Sequence, residues 1–185
     1  MAEETDEMIA SRVQAGDSEA FGELVERYQE KLLRYARKFL FDLDEARDPV
    51  QDVFIKAYQN IQSFDATRRF SPWIYRIAHN EFVNALKQRS ARATIFTIDF
   101  DTLFPHLTAP DTADSATLER ELRHSLDREL DKLDAKYREP LILYYLESMD
   151  YKQISEILQI PVSTVGVRLA RARAALKKLS EKNSV

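Results

Sequence analysis

A chain of 185 residues without cysteine can form no disulfide and offers no thiolate for catalysis or metal binding. With 44% hydrophobic residues it can build a packed core, whereas only three glycines and the absence of turn dipeptides such as Asn-Gly disfavour a hairpin-rich fold. The acidic N-terminus does not resemble a signal peptide, and no apolar run approaches the roughly 20 residues that span a bilayer, so we expect a cytoplasmic protein without membrane insertion.

The charge of the chain is unevenly distributed. The formal net charge is −4, yet residues 68–92 contain six Lys/Arg against one acidic residue, and residues 164–182 contain the same numbers. Each stretch therefore carries +5, and the rest of the chain carries −14. Two basic stretches in an acidic protein indicate two contacts with a polyanion, although each stretch alone could be an ordinary solvated helix face.

The first predicted helix covers Asp17 to Phe41, and Asp17 or Ser18 can cap its start. Its apolar stripe, at spacings of three and four, consists of Phe21, Leu24, Val25, Tyr28, Leu32, Tyr35, Ala36 and Phe39. The second helix opens with Asp48 as N-cap and Pro49 where its missing N–H costs nothing. The predicted inner face of the second helix consists of Val50, Val53, Phe54, Ala57, Tyr58 and Ile61.

An aromatic and cationic segment follows the second helix. Residues 62–70 have no helical period and are predicted to form a loop, and a third helix starts near Pro72 and extends past Leu86. The apolar residues of this helix are Trp73, Ile77, Ala78 and Leu86. Aromatic rings among arginines can stack on unpaired bases while the cations hold the backbone, which favours single-strand binding. The alternative is that Phe70 and Trp73 belong to the core and the cations to a plain surface.

Residues 94–117 differ in composition from both flanks, with four Asp, two Pro and no Lys or Arg. This composition is typical of an extended linker. We therefore expect an all-α protein with two small helical domains, over residues 1–92 and 118–185, joined by an acidic flexible linker over residues 93–117.

The C-terminal half is predicted to contain a helix-turn-helix. Helical periodicity covers residues 118–133 and 139–149. Two short helices follow, one over 151–158 that Pro161 ends and one from Thr164 onward that Ser163 can cap. One small core is expected from Ile154, Ile157, Leu158, Ile160, Val165, Leu169 and Ala172. Such a motif places its second helix in the major groove of DNA. Its polar face would carry Arg168, Arg171 and Lys178, flanked by Arg173 and Lys177. The alternative is an ordinary helical pair with a solvated face.

Four segments together resemble the extracytoplasmic-function (ECF) sigma factors, the minimal two-domain class of bacterial sigma factors. The segments are GDSEAF (16–21), DPVQDVFIKAY (48–58), SFDATRRFSPWIYRIAHN (63–80) and IPVSTVGVRLARARAAL (160–176). The resemblance implies a sigma-two domain and a sigma-four domain, and a factor that binds core RNA polymerase, recognises a promoter and helps to melt it. It also implies an anti-sigma protein as a partner, and we expect a monomer when the chain is free of partners.

The resemblance also implies roles for individual residues. Those matching the family's contact with core polymerase are Asp48, Gln51, Asp52, Phe54 and Ile55. Those matching minus-ten recognition and melting are Phe64, Asp65, Arg68, Arg69, Phe70, Trp73, Arg76, Asn80, Asn84 and Lys87. Those matching minus-thirty-five recognition on duplex DNA are Ser163, Thr164, Val167, Arg168, Ala170, Arg171 and Arg173. Two positions depart from the family pattern: Gly166 replaces a usual Arg or Lys, and Arg47 stands where an acidic residue is common.

Two other classes of function compete with this interpretation. Enzymatic activity is not expected, because the three histidines are far apart in sequence and no phosphate-binding loop, nucleophile motif or metal-ligand pattern occurs, so no catalytic residue, metal or cofactor is predicted. A one-component helix-turn-helix regulator would bind duplex DNA without polymerase. The aromatic and basic segment 64–92 favours the sigma factor, because a sensor domain does not need it.

Overall fold

The computed structural model describes residues 4–40, 46–90 and 130–183. The chain divides into two compact units, the first containing the described residues up to Ser90 and the second nearly all of those from Leu130 onward. Throughout the described ranges, every regular element is a helix, which confirms the predicted all-α fold. The predicted linker over 93–117 and most of the helix predicted over 118–133 lie outside the described residues.

Among its described residues, the first unit contains four α-helices, α1 Asp6–Gln14, α2 Phe21–Leu40, α3 Arg47–Asn60 and α4 Phe70–Ser90. The predicted stripe of α2 is buried except for Val25, which is half-exposed. Tyr35 lies at the centre of the core, where its ring centroid is 5.6 Å from that of Tyr75 and 5.0 Å from that of Phe82. The aromatic residues of α2 and α4 therefore hold the unit together, with α3 packed against both helices.

Three details of α3 and α4 correct the prediction. Helix α3 begins one residue before Asp48 and has Ala46 as its N-cap, so the Asp48 carboxylate lies within the first turn and does not cap it. Tyr58 is 46% exposed instead of buried, with its ring against the edge of Phe21 at 5.1 Å. Helix α4 starts at Phe70, two residues before Pro72, because the Phe70 N–H has a carboxylate acceptor on α1.

Helix α1 was not predicted from the sequence. The Thr5 hydroxyl accepts a hydrogen bond from the Met8 N–H at its start, and three apolar residues, Ile9, Ala10 and Val13, are buried. A polar contact fixes α1 to α2, because the Asp6 carboxylate accepts from the Tyr28 hydroxyl at 2.6 Å and from the Arg27 guanidinium at 2.7 Å. This helix also reaches the loop before α4, as described below.

The second unit contains α5 Ala135–Leu141, a wide π-helical turn over Ile142–Leu146, α6 Tyr151–Leu158 and α7 Val162–Asn183. Pro140 lies inside α5 and removes one helical hydrogen bond just before the wide turn. A capping box starts α6, in which the Asp150 side chain accepts from the Gln153 N–H and the Gln153 side chain accepts from the Asp150 N–H.

The helix-turn-helix is present, with small corrections. The bounds of α6 match the prediction, but α6 ends because Gln159 adopts a left-handed conformation, before Pro161 is reached. Helix α7 begins at Val162, so Ser163 lies in its first turn and is not the N-cap. The predicted core residues are buried except for Ile160, which is half-exposed.

Candidate nucleic-acid and protein interfaces

Three aromatic rings lie under the loop between α3 and α4. Phe64 and Phe70 are buried, with ring centroids 5.3 Å apart in an edge-on arrangement. Trp73 is half-buried, with its ring 5.2 Å from Phe64 and 5.4 Å from Phe70. In the structure Phe64 and Phe70 belong to the core and support the loop, and their predicted contact with DNA stays a prediction. Trp73 both packs against them and keeps part of its ring accessible.

The loop itself is a tight turn stabilised by Asp65. The Asp65 carboxylate accepts from the Thr67 N–H at 3.0 Å and from the Thr67 hydroxyl at 2.7 Å, and the Arg68 N–H donates to the Asp65 carbonyl at 2.9 Å. The hydrogen bonds from Thr67 hold the pKa of Asp65 below its usual range. The side chains of Asp65, Arg68 and Arg69 are exposed, so the turn presents charges of both signs to the solvent.

Two residues of α1 hold this loop, and sequence reasoning missed both. The Gln14 amide donates to the carbonyls of Ile61 at 2.8 Å and Phe64 at 2.7 Å, and the Glu7 carboxylate accepts from the Phe70 N–H at 2.9 Å. Neither residue lies in a recognisable motif, and the buried Ile9, Ala10 and Val13 were the signal that could have revealed their helix.

The predicted minus-ten residues of α4 lie on one exposed face. Arg76, Asn80, Asn84 and Lys87 are all exposed and follow one another at spacings of four, four and three, which places them along one side of a helix. Trp73 continues this face toward the loop, three residues before Arg76. The acidic Glu81 lies beside the face, and its carboxylate pairs with the Lys56 ammonium of α3 at 2.6 Å.

A surface cleft of about 540 Å³ lies between α2 and α3. It is lined by Val25, Gln29, Glu30, Leu33, Arg37, Arg47, Val50, Gln51, Phe54 and Ile55. Phe54 is half-exposed and Ile55 is 46% exposed, so apolar side chains remain accessible between charged ones. Exposed apolar groups with a polar rim are typical of protein-binding surfaces. Of the predicted polymerase contacts, Gln51, Phe54 and Ile55 line the cleft, whereas Asp48 and Asp52 are exposed outside its lining.

In the second unit, α7 presents the predicted minus-thirty-five residues. Ser163 is exposed, and the others, Thr164, Val167, Arg168, Ala170, Arg171 and Arg173, are half-exposed. The Arg173 guanidinium donates to the Tyr151 hydroxyl at 3.1 Å and lies 6.0 Å from the centre of the Tyr144 ring. Arg173 therefore braces α6 against α7, a role that the sequence pattern did not indicate.

Two further findings concern metal binding and membrane-spanning helices. Across residues 4–40, 46–90 and 130–183, no group of three or more His, Asp or Glu side chains is placed to hold a metal ion. No helix within these ranges is long and apolar enough to cross a membrane.

Comparison with known families matches both units. The family model for Sigma-70 region 2 matches residues 24–92, and the model for Sigma-70 region 4 matches residues 123–176. The first match contains α3, the loop and α4, and the second contains the helix-turn-helix.

Relatives and solved structures agree with the family models. The ECF RNA polymerase sigma factor SigW of Bacillus subtilis is 34% identical over 172 residues, covering 90% of this chain and 92% of that protein. The ECF RNA polymerase sigma-E factor of Escherichia coli (strain K12) is 34% identical over 180 residues, covering 93% and 92%. The structure of CnrH in complex with the cytosolic domain of CnrY matches with a TM-score of 0.72 and 26% identity, covering 97% of this chain and 99% of CnrH. Because the two region models match residues 24–92 and 123–176 and the relatives match over nearly the whole length, the chain belongs to the ECF sigma factors of the sigma-70 family.

Proposed function

We propose that this sigma factor docks on core RNA polymerase through the cleft between α2 and α3. The exposed apolar side chains of Phe54 and Ile55 would be covered on docking, and Gln51 would hydrogen-bond at the cleft. Asp48 and Asp52 lie outside the cleft lining and would contact basic residues of the polymerase. A factor that acts on core RNA polymerase would work in the cytoplasm.

The exposed face of α4 and the adjoining loop form the proposed minus-ten site. We name residues 64–69 the base-capture loop, because a preformed turn beside cations suits an extruded base. Asn80 and Asn84 would hydrogen-bond base edges, and Trp73 and Arg76 would support the melted strand. The observation that carries this proposal is the alignment of Trp73 and the four exposed polar residues on one face of α4.

Helix α7 is the proposed reader of the minus-thirty-five element. Arg168 and Arg171 would contact base edges or phosphates, and Val167 and Ala170 offer apolar contact for thymine methyl groups. The domains that carry the two sites would extend over residues 1–92 and 118–185, with residues 93–117 as the linker.

An anti-sigma protein is the proposed regulatory partner. CnrH is similar to this chain and was solved in complex with CnrY, so a protein of that kind would control this factor. Such a partner would cover polymerase-binding surfaces until it is released, and the α2–α3 cleft is the exposed apolar surface that a partner would bury.

Transcription in vitro tests the proposal, with purified core polymerase, the full chain and a library of genomic promoters. We expect opening of a defined promoter set that requires both the core enzyme and this chain. Tight sequence-specific binding without core, and no opening with it, would instead indicate a one-component regulator.

A variant then tests the minus-ten site. Asn80→Ala should reduce discrimination among minus-ten sequences while core affinity stays unchanged, because Asn80 lies on α4 outside the cleft. Asn60→Ala is the matched control, because Asn60 is also an exposed amide and bonds only the Lys56 carbonyl of its own helix. Loss of core affinity in Asn80→Ala would contradict the assignment.

A further inference from the structure

Helix α1 holds the base-capture loop at both of its ends. At the first end, the Gln14 side chain donates to two carbonyls, those of Ile61 and Phe64. At the other end, the Glu7 carboxylate accepts from the N–H of Phe70, the first residue of α4. A third bond runs in the opposite direction, from the Gln62 amide to the Gln14 carbonyl at 3.2 Å. The contacts connect residues that are 47 to 63 positions apart in sequence.

The anchoring helix is itself fixed. Asp6 bonds Tyr28 and Arg27 of α2, and Arg27 also donates to the Glu4 carbonyl at 2.8 Å. Phe64 packs into the core at the start of the loop, but the turn that follows it is closed only by Asp65 bonds to Thr67 and Arg68 at an exposed position. A turn with exposed hydrogen bonds opens easily unless its ends are held.

We infer that Gln14 and Glu7 are positioning residues for base capture, which they support by holding the base-capture loop in its receiving conformation. This inference rests on the proposed function of the loop. Neither residue needs to contact DNA: Gln14 fixes where the loop leaves α3, and Glu7 fixes where α4 begins. If the base-capture loop is already ordered, it does not lose conformational entropy when the base enters. The two residues therefore strengthen capture of the correct base.

Amide hydrogen exchange in the full chain tests the structural half of the inference. Gln14→Ala and Gln14→Glu both remove the donor, and we expect the Thr67, Arg68 and Phe70 amides to exchange about tenfold faster. Amides in the cores of α2 and α4 should keep their rates. Ser11→Ala is the matched control on α1, because the Ser11 hydroxyl is exposed and bonds only the Glu7 carbonyl of its own helix.

Glu7 offers a conservative rescue. Glu7→Ala should accelerate exchange of the Phe70 amide, whereas Glu7→Gln should not, because an amide oxygen still accepts the hydrogen bond. Equal acceleration of loop and core amides in the Gln14 variants would mean that α1 only stabilises the unit, and it would overturn the inference.

Binding of a promoter fork to the holoenzyme tests the functional half. The probes are single-stranded at the minus-ten element of a promoter found by the transcription assay, either intact or with one abasic site at each position in turn. For wild type, an abasic site at the captured position should lower the affinity for the probe. This abasic penalty is the ratio of the affinity for the intact probe to that for the abasic probe, and in Gln14→Ala it should be about tenfold smaller. Affinity for the abasic probe should stay the same in both proteins.

The two proposals fail in different ways. If wild type shows no position with an abasic penalty, the proposed role of the loop is wrong. If wild type shows the penalty and Gln14→Ala retains all of it, the loop captures a base without help from α1, and the inference alone is overturned.

Discussion

Replacing Gly166 by alanine should stabilise the second unit. Gly166 lies inside α7, where glycine costs about 1 kcal/mol relative to alanine because it loses more backbone entropy. A Cβ atom at this position would lie 3.6 Å from Cε2 of Tyr151, an ordinary van der Waals distance that requires no movement of α6. We therefore expect a gain of about 1 kcal/mol in the free energy of unfolding, or about 4–8 °C in the midpoint of a unit of this size.

Thermal unfolding followed by circular dichroism measures this gain, and the other two glycines provide controls. Gly16 has φ = +108°, so Gly16→Ala should destabilise the first unit, whereas Gly22 has open space around it and Gly22→Ala should not. A lower midpoint for Gly166→Ala would refute the reasoning. It would mean that the contact between α6 and α7 at Tyr151 is tighter than the distance indicates.

Three further predictions concern other parts of the chain. Arg171→Ala should lower promoter affinity by about 1–3 kcal/mol if Arg171 reads a base, and equal losses on unrelated DNA in a binding titration would make it a phosphate contact. Tyr28→Phe removes a partly buried bond to the Asp6 carboxylate and should cost about 1.5–3 kcal/mol in urea unfolding. Burial and Asp6 raise the pKa of Tyr28, so wild type should lose this stability above about pH 10 while the variant does not. The pKa of Asp65 is lowered, so the order that Asp65 gives the loop should be present above about pH 4 and lost on further acidification. The measurement is the protection of the Thr67 amide from exchange, relative to an unstructured amide at the same pH; unchanged protection would contradict the role of Asp65.

The sequence was sufficient for the fold wherever a helix buries a long apolar stripe. In α2 the stripe repeats over five turns, and seven of its eight predicted members are buried. Helix α1 has nine residues and three buried apolar ones, too short a repeat to separate from an acidic tail. Asp48 shows a second limit of prediction from sequence. Acidic residues are favourable both at the N-cap and in the first turn of a helix, so the presence of Asp48 does not determine the residue at which α3 begins.

The sequence predicted which residue types form the candidate site, but not which of their side chains are buried and which are accessible. The mixture of aromatic and cationic residues located the loop and α4, yet Phe64, Phe70 and Trp73 share the same chemistry in sequence. Only their packing distinguishes the two buried rings from the partly accessible one. The contacts of Gln14 and Glu7 with the loop could not be predicted, because they join distant segments and depend on how α1 packs.

The two basic stretches differ in the exposure of their side chains, and on this ground we propose different tasks for them. On α4 the cations Arg76 and Lys87 are exposed, and exposed cations attract any phosphate backbone with little preference for sequence. We therefore propose that specificity in the first unit comes from the hydrogen-bonding amides of Asn80 and Asn84 and from the anchored loop. In the second unit the arginines of α7 are half-buried, and Arg173 is bonded to the protein itself. Packing orients such side chains before DNA arrives, which suits direct reading of duplex bases.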